Sequence, residues 1–478
     1  MAQRPNIVFI MSDDHAAHAI SAYGSRINVT PQIDRIAAGG MRFDNAFCTN
    51  SICTPSRAAI LTGLYNHQNG VRTLFDVMDG RQQTFPKLLQ RAGYQTAIFG
   101  KWHLGHGGDA DPTGFDTWKV LPGQGDYYDP VLLDPAGERQ YQGYVTDILT
   151  DLSLDWLAGR DPQRPFLLCL HHKAPHRWWQ PHPKYASLYQ DDDRAEPDTL
   201  DDDYATRSEA ARRAAMRVDR DLNARDVKAE VPPGLSPGER RRWFYQRYIK
   251  DYLRCVASVD ESVGRVLNYL DRQGLADDTI VIYTSDQGFF LGDHGWYDKR
   301  FMYEESLRMP LLVRYPGMVA PGSISGSFVL NIDVAATFCE LAGIAPDEPM
   351  SGRSITPLLR GEPPPDWRRS MYYRYWEHLS DQHRVAAHCG IRTERYKLVY
   401  YYGQGLGLEG TSDEATPPEW ELFDLAADPA ELRNVYDEPG FRAVTQELVA
   451  ELAAIRSAVG DDDFPVRYQP RSLSDSTT

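Results

Sequence analysis

Four short apolar runs, residues 7–11, 96–99, 166–170 and 279–284, constrain this 478-residue chain more than any other feature. Each is too short for a core helix and has the unbroken apolar character of a strand covered on both faces. Each also ends in a polar cluster: Ser12-Asp13-Asp14-His15, Gly100-Lys101-Trp102-His103, His171-His172-Lys173-Ala174-Pro175-His176 and Ser285-Asp286-Gln287-Gly288. Open parallel sheets place ligands beyond the carboxyl ends of their strands, so four such clusters are expected to converge on one site. Helical patterns alternate with the runs; the clearest sets Leu253, Val256, Val263, Leu267 and Leu270 on one face before Gly274. The implied fold is α/β, with a large, mostly parallel sheet sandwiched by helices.

The segment 191–242 is charged and interrupted by Pro232-Pro233-Gly234. It reads first as a solvated, partly helical elaboration and second as an edge of the active-site mouth. A proline run at 363–365 marks a boundary, giving a catalytic domain over 1–366 and a smaller α+β domain over 367–478. In the latter, strand-like stretches at 371–376, 396–402 and 419–423 imply an antiparallel sheet under a helix at 441–455, ending in a loose polar tail from Asp461.

The chain carries 51 basic and 67 acidic residues, a net charge of −16. That balance disfavours broad binding to nucleic acid or anionic membrane, so an anionic substrate needs a local positive site. No signal peptide or spanning segment is visible, and cytoplasmic residence in a bacterium is expected. The six cysteines show no paired spacing and are expected to be reduced and buried.

An isolated Asp13-Asp14 reads best as a turn or helix cap. Asp286-Gln287 at a second strand end shifts the reading to a divalent cation held by oxygen ligands, calcium or magnesium rather than zinc. Between them lies Cys53-Thr54-Pro55-Ser56-Arg57, followed by Leu61-Thr62-Gly63. Pro55 suits the first helical turn and puts Cys53 at a helix N-terminus, where amides and dipole favour anions. Taken alone, Cys53 is more simply a small buried hydrophobe.

The Cys-x-Pro-Ser-Arg run with its Leu-Thr-Gly continuation resembles the signature of the type I sulfatases, members of the alkaline-phosphatase-like superfamily. The resemblance extends to Asp13-Asp14, the 100–105 Gly-Lys-Trp-His-Leu-Gly run, Ala174-Pro175-His176, and the 284–288 and 292–299 segments, in the family's order. It implies that a maturation enzyme oxidises Cys53 to formylglycine, and that Asp13, Asp14, Asp286, Gln287 and modified Cys53 bind one divalent cation, usually calcium. Arg57 would steady the aldehyde hydrate, Lys101 and Lys299 the sulfate oxygens; His103 would assist the hydrate and His176 protonate the leaving oxygen. One hydrate hydroxyl would attack sulfur and the other expel sulfate. Gln287 departs from the family's more common Asn, and many relatives are exported.

Such chemistry requires a metal, fixed cations and a general acid, because sulfate-ester cleavage develops negative charge on its oxygens. The expected substrate is a small sugar or aryl sulfate, with His172, Lys173, Arg177, His294 and His388 as further substrate-contact candidates. The reading leaves a homo-oligomer open. Two other functions compete: a phosphonate monoester or phosphodiester hydrolase of the same superfamily, disfavoured by Lys101 and His103, and a catalytically silent sulfated-glycan binding module.

Overall fold

The computed structural model describes residues 4–464 and Val466. All four apolar runs are strands: β1 (Asn6–Ser12), β2 (Gln95–Lys101), β3 (Phe166–His171) and β4 (Thr279–Ser285). They are neighbours in the order β4-β1-β3-β2 at the centre of a ten-stranded sheet, and all pair in parallel. Register aligns their carboxyl ends: Ser12 lies opposite Ser285, Met11 opposite His171, and His171 opposite Gly100. Gly100 is needed there, since a Cβ would fall 1.9 Å from the His171 carbonyl oxygen and φ is +114°. Antiparallel pairing enters only toward the margins, where Leu311–Arg314 joins β4 and Val131–Asp134 joins Thr117–Leu121.

Helix α1 (Cys53–Thr62) is buried along its whole length, and α2 (Pro237–Arg272) covers the sheet with Leu253, Val256, Val263, Leu267 and Leu270. Ser236 and Glu239 form a reciprocal capping box at the start of α2. Beyond the catalytic sheet, β5 (Ser370–Tyr375), β6 (His388–Thr393), β7 (Tyr396–Tyr401) and β8 (Glu419–Asp424) make a four-stranded antiparallel sheet packed by α3 (Arg442–Val459). One apolar cluster runs through both parts, with Phe9, Ile52 and Phe301 joined to Tyr373, Ile391, Phe423 and Leu452.

Two expectations are corrected. The 191–242 segment, exposed along much of its length, is more than a solvated elaboration: Leu200, Tyr204, Ala211, Met216, Val218 and Leu222 are buried, Arg207 is held by Asp202 and the Tyr303 hydroxyl, and Arg225 reaches the cleft as the second reading expects. Apolar side chains spaced among the charges give the segment an inner face that composition conceals. The tail is also anchored at its start, where buried Asp461 pairs with Arg374, and Asp463 lies 2.6 Å from the same guanidinium. The remainder of the expected loose tail falls outside the described residues, apart from Phe464 and Val466. All six cysteines are free and buried, and no helix among the described residues is long and apolar enough to cross a membrane.

Candidate active site

The aligned strand ends bring Asp286 and Gln287 from β4, Asp13 and Asp14 from β1, His176 from beyond β3, and Lys101 and His103 from β2 to one buried centre. Arg57, one turn into α1, donates from Nε and Nη2 to Asp286 Oδ2 at 3.0 and 2.9 Å, and from Nη1 to the Lys101 carbonyl at 2.8 Å. Lys101 Nζ bonds Asp13 Oδ2, and Lys299 Nζ lies 2.5 Å from Asp14 Oδ1. Gln287 Nε2 also donates to Asp14 Oδ1, at 2.5 Å. Thr54 Oγ1, beside Cys53, lies 3.2 Å from His103 Nδ1.

Three buried acceptor oxygens in this centre have no hydrogen-bond donor: Asp13 Oδ1, Asp14 Oδ2 and Gln287 Oε1. Buried oxygens without partners are costly, and carboxylate atoms of Asp13, Asp14 and Asp286 lie within 4.8 Å of one another. The donor set therefore fits a hard divalent cation. Cys53 Sγ forms a second close group with Asp13 and His176, which puts the cysteine beside the same point. The longer Gln287 arm reaches the centre, where its amide nitrogen meets Asp14 and its amide oxygen is buried without a partner.

Burial raises all three carboxyls, but their neighbours separate them. Lys101, followed by His176 and Arg57, overrides burial and holds Asp13 well below the usual range. Burial pushes Asp14 up to about 7, opposed by Lys299, and Asp286 up to about 6. Burial also pushes the Cys53 thiol up to about 12, so the unmodified side chain is a neutral thiol and a poor nucleophile. Burial and then Lys101 depress both His103 and His176 far below an ordinary imidazole. Asp14, His103, Asp298 and Arg300 all adopt positive φ, at 68°, 59°, 77° and 94°. Non-glycine residues so placed cost on the order of 1–3 kcal/mol each and cluster at functional sites.

A cleft of about 300 Å³ opens over Cys53, His176 and Lys299. Of the substrate-contact candidates, Lys173 and Arg177 line it; Lys173 Nζ donates to the Gln124 carbonyl at 3.0 Å, and Arg177 makes a two-point pair with Asp226 at 2.6 and 2.7 Å. The structure does not bring the other three to the cleft wall. His172 is buried 3.1 Å from Ser262 on α2, His294 pairs with Asp202 at 2.9 Å, and His388 accepts the Met302 amide among Tyr373, Tyr375 and Tyr401. Each follows or lies within a motif, but its strand or turn directs the ring inward.

The wall instead includes Gln124, Tyr127, Asp298, Arg300 and His383, which the sequence reading missed. Asp298 Oδ2 lies 3.0 Å from His383 Nε2, and Arg300 Nη1 is 2.9 Å from Glu377. Asp298 and Arg300 flank Lys299, a position that was an available signal. His383 was not legible, because it reaches the cleft on a loop before β6.

The sequence matches the family model described as Sulfatase over residues 5–344, and the one described as N-sulphoglucosamine sulphohydrolase, C-terminal, over 292–458. The chain is 41% identical over 506 residues to N-acetylglucosamine-6-O-sulfatase of Bacteroides thetaiotaomicron, covering 96% of this chain and 88% of that protein. A solved structure of a protein in complex with its substrate, D-glucosamine-2-N,6-O-disulfate, superposes with a TM-score of 0.89 at 40% identity over 96% of this chain and 99% of the other. The phosphonate monoester hydrolase of Agrobacterium radiobacter superposes with a TM-score of 0.73 at 22% identity over 95% and 96% of the two chains, a likeness of fold.

Proposed function

The chain belongs to the sulfatase family and hydrolyses sulfate esters, and from that premise we propose that it removes a 6-O-sulfate from a glucosamine unit, using Cys53 matured to formylglycine and one calcium ion. The observation that carries the reading is the cleft over Cys53, lined by buried Lys173 and Lys299, sized for a sugar unit and joined through Cys53 to the carboxylate centre beside it. Asp13, Asp14, Asp286 and Gln287 would hold the cation, which would supply positive charge to the sulfate group. A dedicated maturation enzyme would oxidise Cys53 to the aldehyde, which once hydrated by water would offer a hydroxyl nucleophile in place of the thiol.

The residues of the chain do the rest. Lys101, held by Asp13, and Lys299, held by Asp14, orient two sulfate oxygens, so the charge they stabilise is met by preset groups. Arg57 locks Asp286 through two donors and fixes the start of α1 against β2. His176 donates from Nδ1 to the Arg177 carbonyl at 2.5 Å, which leaves Nε2 as the atom that carries a proton to the leaving alcohol. Burial and Lys101 weaken that ring as a base, so an imidazolium formed in the field of an anionic ester is a strong acid. His103, held through Thr54 next to Cys53 in the chain, would exchange a proton with the nucleophile.

The test is a comparison of kcat/KM for N-acetylglucosamine-6-sulfate, an aryl sulfate, a phosphonate monoester and a phosphodiester. The sugar sulfate is expected to lead, and a preference for the phosphonate would overturn the assignment. Mass spectrometry of the tryptic peptide 43–57 is expected to show an aldehyde at Cys53 in active protein. Chelation should abolish turnover and added calcium restore it.

A further inference from the structure

The segment 191–242 divides sharply in charge. From 191 to 203 it has eight acidic residues and one basic; from 204 to 242 it has ten basic and six acidic. Several of those basic side chains converge on an open groove, separate from the catalytic cleft, lined by Arg217, Asp219, Arg220, Leu235, Arg240 and Arg241.

Its charge is not internally cancelled. Arg241 is neutralised by Asp219 at 3.1 Å and Asp201 at 2.6 Å, and Arg220 by Asp221 at 3.2 Å. Arg217 and Arg240 have no carboxylate within ion-pair distance among the described residues. Arg217 stacks its guanidinium 3.8 Å over the Tyr204 ring, and its buried Nε has no partner. Arg240 lies over Phe244 and donates only to the Asp219 carbonyl, at 3.2 Å. Stacking on aromatic faces holds both side chains in place, so little freedom is lost when they meet an anion. Arg240 lies near the amino-terminal end of the 36-residue helix α2, and Arg217 lines the same groove; the helix dipole adds to that field.

The groove is also tied to the catalytic cleft. Residues 215–218 run against the cleft wall: the Ala215 amide donates to the His383 carbonyl at 2.7 Å, Tyr297 N to Met216 O, and Val218 N to Gly295 O. Tyr297 donates its hydroxyl to the Asp221 carbonyl while its ring lies 5.0 Å below the cleft residue Arg177. Eight residues on from Arg217, Arg225 stacks on Trp178 at the cleft rim, so at most about 29 Å of chain joins the groove to that rim.

We propose that the Arg217–Arg240 groove is an anion subsite that binds a second sulfate or carboxylate of a sulfated oligosaccharide whose terminal ester occupies the catalytic cleft. This rests on the sulfatase reading for its substrate class but assigns the groove no part in the chemistry. It would favour longer, multiply charged chains over a single sulfated sugar, and make that preference salt-sensitive.

The experiment compares wild type with Arg217→Gln/Arg240→Gln and with the charge-preserving Arg217→Lys/Arg240→Lys. The substrates are N-acetylglucosamine-6-sulfate and a sulfated tetrasaccharide ending in the same unit. Monosaccharide turnover should be unchanged in all three proteins, which reports an intact fold and active site. For the tetrasaccharide, KM should rise about tenfold in the glutamine variant with kcat unaltered, corresponding to the loss of one charge-assisted contact pair; the lysine variant should retain most of the affinity. In parallel, binding of the fluorescently labelled tetrasaccharide to each protein carrying Cys53→Ala reads the subsite without turnover. Equal tetrasaccharide affinity in wild type and glutamine variant overturns the subsite. Absence of sugar-sulfate turnover in wild type, with the binding difference intact, instead defeats the catalytic assignment.

Discussion

His176 shows how much of a reaction can be carried by one ring. Its Nδ1 is committed to the Arg177 carbonyl, its backbone carbonyl accepts the Tyr127 hydroxyl at 2.7 Å, and its Nε2 stands 3.7 Å from Asp14. If Nε2 delivers the proton to the departing alcohol, His176→Ala should lower kcat by about 10² to 10⁴ for a sugar sulfate. An aryl sulfate whose phenolate leaves readily should lose far less, because it needs little protonation. Equal losses on both substrates would show a structural role. The ring was legible in sequence because Ala174-Pro175-His176 follows a strand at once, so its position is fixed locally. His383 and Gln124 were not, since their places on the cleft wall depend on how distant loops are brought back over the strand ends. Local spacing also misled: His294 lies five residues before Lys299 yet turns into a buried pair with Asp202.

Elements rather than single residues explain why the centre holds its shape. The strand pairing that aligns Ser12 with Ser285 was readable from apolar runs, but the support given by helices was not. Asp260 on α2 accepts the amides of Gln32 and Ile33 at 2.9 and 2.8 Å, capping the helix Pro31–Ala38 that packs beneath it. Burial pushes this carboxyl up to about 6, against the opposing pull of those two amides. A folded-state value above the ordinary 3.8 means the protonated form is favoured on folding. Stability from this group is therefore full below about pH 4 and is lost as pH rises through about 6. Asp260→Asn keeps an acceptor oxygen without titrating. Urea unfolding should show wild type losing on the order of 2 kcal/mol relative to the variant between pH 4 and pH 7. A constant difference across that range would contradict the assignment. The hidden strand β6 belongs to the same scale: Gly390 at its centre weakens the strand signal, and the chain needs it, because a Cβ there would meet the Leu398 carbonyl oxygen at 2.4 Å.

At the scale of the whole molecule, the parts on either side of the proline run at 363–365 share one apolar cluster. Tyr373 on β5 accepts the Ser51 amide at 3.1 Å and donates to the Arg300 carbonyl at 2.6 Å, so the smaller sheet touches both the approach to α1 and the cleft wall. Lys397 on β7 is fully buried with its amine 2.9 Å from Glu304 and 2.6 Å from Glu431, a three-group bridge across the two parts. Separating them would expose a continuous apolar core and strand these charges without partners, costs that neither part alone could offset. A chain of this length has no automatic claim to a single transition, but here the shared core supplies the reason for one. Differential scanning calorimetry should give one cooperative endotherm, shifted upward by calcium because binding favours the folded state. Tyr373→Phe should lower that single transition by a few degrees and reduce kcat together, since the same hydroxyl links the sheets and braces the segment entering α1. Two resolved endotherms, with only one responding to calcium, would instead restore the boundary near residue 366 as a true domain division.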